Sequence, residues 1–290
     1  MIYASAPGKL NLFFEVGPLR PDGYHSVISI YQALAIRQRV GVEPHSKWEV
    51  ITEGDLPQQQ LDLVPKDEKN LCVIAAKALA AYAGIANPQP MRFLTHKQVP
   101  VAAGLAGGSA DAAASLIALN KAWKLGLTSE QLQQVASKVG SDVPFSLLGG
   151  TALGRDTGIE LEALEDLPKL QVVLLISAIG LSTKEVFGKF DQMFPQGDIT
   201  VEPQGSIEVV RAGSNLGKNS LLSPALSLRP ELADYQSLIG GTTGHLSGSG
   251  PTIYFVTKDA NEASDWANQL RALGHLVIQT TTSNHGATLE

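Results

Sequence analysis

The sequence predicts an α+β fold made of two halves. The predicted strands and helices follow one another without the strict alternation that a doubly wound sheet requires. Residues 1–155 end in a strand-like segment with a glycine bend, and residues 156–290 begin with a polar stretch and a new apolar strand near Leu170. A chain of 290 residues, 44% of them hydrophobic, is long enough to bury a core in each half.

Hydrophobic periodicity assigns the elements of the first half in order. Alternating apolar residues predict a strand over residues 10–16, and residues 38–53 are also predicted to be extended. A helix is predicted over residues 67–84, and a strand over 91–99 precedes a helix over 109–124. Thr128 and Gln131 form a capping-box pattern that starts another helix, which is predicted to end at Gly140.

The second half has its own series of elements. Strands are predicted from residue 170, over 252–256 and, as an edge strand, over 276–282. Helical patterns occur over residues 183–194, 221–239 and 261–273, with a low-complexity stretch at 195–219. The last residues, 283–290, are expected to be frayed.

Composition excludes several function classes. The net charge of −6 and the scattered lysines and arginines provide no basic surface for nucleic acid. The single cysteine, Cys72, lies in an apolar helical run and predicts a buried side chain and a reducing, cytoplasmic environment. No signal peptide is recognised, and the longest apolar run, residues 170–181, is too short for a membrane span. The sequence leaves the oligomeric state open.

The segment from Pro100 to Ala110 is the most informative part of the chain. Three glycines and several alanines lead directly into a strong helix-forming run. Glycine lets backbone amides approach a ligand without a Cβ atom in the way, and the first amides and the dipole of the following helix attract anions. The segment therefore predicts a phosphate-binding loop.

Two better-known phosphate loops do not match this segment. A Walker A loop ends in Gly-Lys-Ser/Thr, whereas residues 108–110 are Gly-Ser-Ala. A dinucleotide fingerprint begins Gly-x-Gly, whereas here two residues separate Gly104 from Gly107. The alternative is a tight turn in which Ser109 caps the helix and Asp111 complements its dipole. That carboxylate would repel a phosphate unless it points away from the loop.

Five segments in register carry a resemblance to a known family. The glycine loop resembles the central motif of the GHMP kinase superfamily, named for galactokinase, homoserine kinase, mevalonate kinase and phosphomevalonate kinase. Further similarity narrows the match to the branch that phosphorylates the 2-hydroxyl of 4-diphosphocytidyl-2-C-methyl-D-erythritol in the non-mevalonate isoprenoid pathway. This further similarity is found in residues 6–12, 20–25, 140–145, 181–187 and 247–251.

The resemblance implies a two-domain fold with a ribosomal-protein-S5-domain-2-like first half and a ferredoxin-like second half. It implies ATP and Mg²⁺ as cofactors, a small-molecule substrate, and no nucleic-acid or membrane partner. Its ATP-binding residues correspond here to Pro100, Val101, Ala102, Ala103, Gly104, Leu105, Ala106, Gly107, Gly108, Ser109 and Ala110. No protein metal ligand is assigned, because the histidines lack metal-ligand spacing.

Lys9 and Asp142 match the catalytic lysine and general base of the family. A carboxylate beside the acceptor hydroxyl can take its proton, and a neighbouring ammonium can stabilise charge on the transferring group. The alternatives are a surface lysine and an Asp142 that caps a short turn, a role that is compatible with the base.

The resemblance also places a cytosine between two aromatic rings, here Tyr24 and Phe187, with His25 bonding to its polar edge. Asn11 lies on the same face of an extended segment as Lys9 and is predicted to orient the acceptor, and Thr183 is a further substrate-binding candidate. The alternative interpretations are a turn tyrosine, a solvated histidine and a core phenylalanine.

The chain departs from the family pattern at Ala106 and Ala110 in the loop and at Ser220, which follows the low-complexity stretch. Within that stretch, residues 205–217 have no assigned function.

The alternative is a different small-molecule GHMP kinase, of homoserine or mevalonate type, which would share the loop. It would have no reason to keep Tyr24 and His25 beside Phe187. The acidic net charge disfavours an RNA-binding module, and the spacing of the loop glycines disfavours a nicotinamide enzyme.

Overall fold

Two sheets, in which most strand pairs are antiparallel, form the frame of the molecule. The computed structural model describes residues 1–177, 179–200, 202–211 and 216–290. Its strands are β1 (Ile2–Leu19), β2 (His25–Pro44), β3 (Glu49–Gly54), β4 (Met91–Lys97), β5 (Thr151–Arg155), β6 (Glu160–Ala163), β7 (Gln171–Ile176), β8 (Lys218–Asn219), β9 (His245–Leu246), β10 (Ile253–Thr257), β11 (Leu276–Thr281) and β12 (Thr288–Leu289).

Helices cover these sheets and connect their strands. They are α1 (Gln58–Leu61), α2 (Leu71–Tyr82), α3 (Gly107–Ala122), α4 (Ser129–Ala136), α5 (Val143–Leu148), α6 (Thr183–Met193), α7 (Pro203–Arg211), α8 (Leu222–Leu228), α9 (Glu231–Gln236) and α10 (Ala260–Ala272). Among the described residues, no helix combines the length and the apolar character that crossing a membrane requires.

The larger sheet is built around the long hairpin of β1 and β2. Its path is β12-β1-β2-β4-β3, with β5 paired to β2, β6 to β5, and β8 to β1. The β1–β2 ladder is antiparallel, and its register shifts between Pro7 and Lys9 and again between Asn11 and Phe13. Such bulges redirect side chains from a strand, and the first of them lies beside Lys9.

The smaller sheet has the order β11-β7-β10-β9, and each of its pairs is antiparallel. Its core packs against α6 and α10 and includes Phe14, Val16 and Val27 from the β1–β2 hairpin. A separate core holds α2, α3 and α4 against the larger sheet. Because the hairpin contributes to both halves, the residues along it are held at the boundary between them.

Most predicted elements are present, and the α+β arrangement without strict alternation is confirmed. The capping box is formed as predicted: Gln131 N–H donates to Thr128 Oγ1 over 3.3 Å, and the Thr128 amide donates to Gln131 Oε1 over 2.9 Å. Cys72 is buried in α2. The stretch 195–219 contains α7 and β8, while residues 201 and 212–215, the latter part of the unassigned segment 205–217, lie outside the described residues.

The expectation of a frayed end is wrong. Residues Thr288 and Leu289 pair antiparallel with Ser5 and Ala4 of β1, and the Ala287 amide donates to Leu147 O over 3.1 Å. The backbone groups of this segment are satisfied by a strand edge, which keeps it ordered.

Candidate active site

A cavity of about 720 Å³ lies where the β1–β2 hairpin, the glycine loop and α6 meet. This volume is in the range of small-molecule sites. The cavity is lined by fifteen of the predicted site residues: Lys9, Asn11, Tyr24, His25, Pro100, Ala102, Ala103, Gly104, Ala106, Gly107, Gly108, Ser109, Asp142, Thr183 and Phe187.

Three residues of the predicted loop do not line the cavity. The side chains of Leu105 and Ala110 are fully buried in the cores. The Val101 amide is directed elsewhere and donates to Gln60 Oε1 over 3.2 Å. Leu105 acts through its backbone instead, since its carbonyl accepts from the Lys9 amide over 3.1 Å. The loop therefore presents part of its length to the cavity and anchors itself with the rest.

The loop ends at the N-terminus of α3, as predicted, but Ser109 is not the cap. The helix begins at Gly107, and its N-cap residue is Ala106, with φ of 57° in the left-handed region and no side-chain cap bond. The first amides of any α-helix have no intrahelical acceptor, and Gly107, Gly108 and Ser109 all line the cavity. Such amides and the helix dipole are suited to bind an anion.

Gly104 is where the loop approaches a second turn most closely. Its φ is 74°, and a Cβ atom there would lie 2.2 Å from Ser247 O, so only glycine fits. The Ser247 hydroxyl donates to Gly104 O over 3.0 Å. Asn219 Nδ2 donates to Gly248 O over 2.8 Å and so stabilises the turn that contains Ser247.

Asp111 does not face the phosphate site, and the helix-dipole interpretation of it is wrong. Its side chain is buried and forms a hydrogen-bonded ion pair with Lys97 at the end of β4. Desolvation by burial raises the pKa of Asp111 against the opposing effect of Lys97. Because Lys97 precedes the loop and Asp111 follows it, the ion pair joins the two ends of the loop and keeps the carboxylate away from the cavity.

Lys9 is a buried cation held at the cavity wall by the β1 bulge. Its side chain is 5% exposed, and its Nζ donates to Asn11 Oδ1 over 2.6 Å. Asn11 Nδ2 in turn donates to Ser29 Oγ over 2.8 Å. Burial lowers the pKa of Lys9, and the charge of Asp142 partly offsets that effect.

Asp142 lies directly before α5 and faces the cavity. Its side chain makes no cap hydrogen bond, so the interpretation as a side-chain cap is wrong. Asp142 Oδ2 lies 4.0 Å from Lys9 Nζ, and its side chain is 29% exposed. A partly solvated carboxylate beside a buried cation, in a cavity that also contains helix amides, is suited to proton transfer near an anion.

Tyr24 stands at the outer end of the cavity on a braced turn. The residue is 64% exposed, yet its backbone is fixed because the Tyr24 amide donates to Asp22 Oδ1 over 3.0 Å. Arg20 donates to Asp22 Oδ2 over 2.5 Å and also pairs with Asp156 across the sheet. These hydrogen bonds hold the turn that carries the exposed Tyr24 ring at the cavity.

His25 and Phe187 also line the cavity. Their ring centroids are 5.1 Å apart. His25 Nδ1 donates to Gly17 O over 2.8 Å, and its Nε2 lies 3.3 Å from Asp191 Oδ1. Phe187 both lines the cavity and packs against the second core, so its core contact is confirmed and its binding role stays a prediction.

Sequence reasoning missed several residues that line the cavity. Ser141 directly precedes Asp142, and Gly248 and Ser249 lie in the turn that meets the glycine loop. Ser249 Oγ is 2.9 Å from Thr183 Oγ1 and joins that turn to α6. For Asp191, one turn beyond Phe187, helical spacing was the available signal.

The structure and comparisons with known proteins agree on the class of protein. Residues 70–150 match the family model "GHMP kinases N terminal domain". The solved structure of a homoserine kinase from Cytophaga hutchinsonii, 18% identical, matches with a TM-score of 0.71 over 100% of this chain and 97% of that one, which supports the fold alone. The fold is that of a GHMP kinase, and the glycine loop lies within the matched segment.

More similar proteins define the particular family. The 4-diphosphocytidyl-2-C-methyl-D-erythritol kinase of Paenarthrobacter aurescens (strain TC1) is 38% identical over 94% of this chain and 91% of its own length. A crystal structure of 4-(cytidine 5'-diphospho)-2C-methyl-D-erythritol kinase, 28% identical, matches with a TM-score of 0.76 over 98% of this chain and 100% of that one. The chain belongs to the 4-diphosphocytidyl-2-C-methyl-D-erythritol kinase family.

Proposed function

We propose that this protein transfers the γ-phosphoryl group of ATP to the 2-hydroxyl of 4-diphosphocytidyl-2-C-methyl-D-erythritol, a step of isoprenoid precursor synthesis. The observation that carries the proposal is the Lys9–Asp142 pair, which shares one cavity with the first amides of α3. Phosphoryl transfer depends on positioning and charge stabilisation, and this arrangement supplies both.

The triphosphate of ATP binds at the N-terminus of α3 in this proposal. Gly107 and Gly108 keep side chains out of the approach, and the helix amides donate to phosphate oxygens. Mg²⁺ is usually held by one or two carboxylates together with substrate phosphates. Among the described residues no group of three or more acidic, histidine or cysteine side chains is arranged to hold a metal ion. Asp142 and the Ser109 hydroxyl, which line the cavity, are the protein ligands available to an ion held mainly by phosphates. Bound there, Mg²⁺ supplies charge neutralisation on the phosphates.

The chemical step needs one proton acceptor. The acceptor hydroxyl oxygen forms a bond to the γ-phosphorus as the bond from that phosphorus to the β–γ bridging oxygen breaks, and ADP leaves with the electron pair. Asp142 takes the hydroxyl proton, and Lys9 stabilises the negative charge on the transferring group. Asn11 keeps a second lone pair on Oδ1 with which to orient the hydroxyl.

The cytidine end of the substrate occupies the outer part of the cavity. Tyr24 and Phe187 bind the two faces of the base, and His25 lies at its polar edge. Thr183, at the start of α6, lies between the base and the reacting end of the cavity and contacts the sugar or the diphosphate.

The proposed units are residues 1–155 and 156–290, and the proposed location is the cytoplasm. Support for the division is that β5 ends at Arg155 and that the smaller sheet starts with β7. Three short strands of the second unit, β6, β8 and β12, join the larger sheet. The buried, unpaired Cys72 and the net charge of −6 fit a cytoplasmic enzyme that binds small molecules and not nucleic acid.

The test is a phosphoryl-transfer assay with competing acceptors. The purified protein is incubated with Mg²⁺, ATP carrying a labelled γ-phosphate, and equimolar 4-diphosphocytidyl-2-C-methyl-D-erythritol, homoserine and mevalonate. We expect the label on the 2-hydroxyl of the cytidine compound and ADP in equal amount. Label on homoserine or mevalonate would assign the chain to a different GHMP activity.

A further inference from the structure

Helix α6 presents a stripe of three different side chains to the cavity. Thr183, Phe187 and Asp191 follow one another at intervals of four residues, so they lie on one face of the helix, and all three line the cavity. Gly188, beside Phe187 on the same wall, adds no side chain that would fill the space. The stripe thus runs from a hydroxyl through an aromatic ring to a carboxylate.

Asp191 lies beside the fixed ring of His25. Its Oδ1 lies 3.3 Å from His25 Nε2, and the ring of His25 is itself fixed because Nδ1 donates to Gly17 O over 2.8 Å. The Asp191 side chain is 34% exposed, so the carboxylate is not enclosed by the fold. An ionised carboxylate has about four lone-pair sites, and contact with His25 takes up at most one of them. The others remain available to a ligand beside the Phe187 ring.

We propose that Asp191 determines the specificity of this kinase for cytosine, by accepting a hydrogen bond from the exocyclic amino group of the base. This inference rests on the proposed function and adds a residue to it. Cytosine and uracil have similar ring faces, so stacking on Tyr24 and Phe187 does not distinguish them. At position 4 cytosine carries an N–H donor and uracil an oxygen acceptor. A carboxylate accepts from the first and repels the second, because it has no hydrogen to donate.

Nucleotide binding tests this without turnover. Calorimetry measures the dissociation constants of CDP and UDP in the presence of Mg²⁺ and a saturating non-hydrolysable ATP analogue, which keeps both probes out of the phosphate loop. The variant is Asp191→Ala, which removes both the acceptor for the amino group of cytosine and the carboxylate that repels the uracil oxygen. The matched control is Glu185→Gln, which removes an exposed charge from the same helix away from the cavity.

We expect wild-type protein and E185Q to bind CDP at least about tenfold more tightly than UDP, since rejecting a base that lacks the matching donor costs about that factor or more. In D191A the ratio should fall to within about threefold, with an unchanged melting temperature. Equal weakening of both nucleotides, or an unchanged ratio, would show that Asp191 only supports His25 and overturn the inference. Binding of neither nucleotide by the wild type would overturn the inference together with the cytidine substrate of the proposed function.

Discussion

Lys9 Nζ lies 4.0 Å from Asp142 Oδ2 and 2.6 Å from Asn11 Oδ1. The longer distance exceeds that of a hydrogen bond, so the two charges attract one another while the Asp142 oxygen is left free of the Lys9 protons. Lys9 comes from a strand bulge and Asp142 from the start of α5, and both are fixed by backbone pairing. The pair is therefore preorganised for a hydroxyl to enter beside the carboxylate.

The first prediction concerns Asp142. Asp142→Asn removes the proton acceptor and keeps the shape of the side chain, so we expect kcat to fall by about 10²–10⁴-fold. ATP affinity should change little, because the loop amides are untouched. Steady-state kinetics and calorimetric titration with a non-hydrolysable ATP analogue measure the two quantities.

The melting temperature is the control for that variant. The Asp142 side chain makes no cap bond, so D142N should unfold within a degree or two of the wild type. Near-normal turnover would remove Asp142 from the role of base, and a large loss of stability would show that it supports the fold.

The second prediction concerns the pH dependence that Lys9 confers. Burial lowers the pKa of Lys9 below its ordinary value of 10.5, and the charge of Asp142 partly offsets this. Lys9 acts as a cation, so activity should decline as the pH rises through that lowered pKa. In D142N the offset is lost, and the alkaline limb of the residual activity should move to still lower pH.

The profile of kcat/KM for the acceptor substrate against pH reports this limb for the enzyme form that binds the acceptor, which here has ATP bound. Saturating Mg²⁺ and ATP are kept at each pH, and far-ultraviolet circular dichroism confirms that the protein stays folded. An alkaline limb that lies in the same place in wild type and D142N would contradict electrostatic coupling between the two residues.

The third prediction concerns the exposed ring of Tyr24. Removing an aromatic ring that stacks on a base costs about 1–3 kcal/mol of binding, so Tyr24→Ala should raise the KM for the cytidine substrate by about 5- to 150-fold. Because the residue is 64% exposed, the free energy of unfolding should be nearly unchanged. Tyr24→Phe keeps the ring and should behave as wild type, whereas equal effects of both variants would point to the hydroxyl.

The fourth prediction concerns backbone strain at Ala106. An alanine at φ of 57° pays a steric cost that glycine avoids, so Ala106→Gly should raise the free energy of unfolding by about 1 kcal/mol. Thermal unfolding measures this as a rise of about 2 °C. Ala110→Gly, four residues later inside α3, should act in the opposite direction, since glycine destabilises a helix interior. A106G less stable than wild type would show that no strain is stored there.

Local sequence rules predicted much of the fold and the glycine loop. The capping box of Thr128 and the apolar periodicity of α2 depend on neighbours within a few residues, so they could be recognised directly. The start of α3 could not be placed as well. Ser109 has the better cap chemistry, but the helix begins two residues earlier and Ala106 is the cap residue, beside a loop that contacts the distant turn at Ser247.

Long-range pairs account for what sequence reasoning missed. In the sequence, Asp111 near a helix N-terminus resembles a partner of the helix dipole. In the structure it pairs instead with Lys97, which the end of β4 places next to it. Asp191 could be recognised only from its contact with His25, which lies far from it in the sequence and on a different element. The segment at Thr288 has too little apolar pattern to identify a strand, and its order comes from the free edge of β1.

The continuity of the cavity bears on inhibitor chemistry. The helix amides at Gly107 and the ring of Phe187 line the same cavity of about 720 Å³, so one molecule can reach both. A cytidine tethered to a polyphosphate by a linker of matching span would bind its second end at a high effective concentration. Such bisubstrate compounds would combine the binding of two weak fragments. They would bind more weakly to kinases that lack aromatic rings for the base.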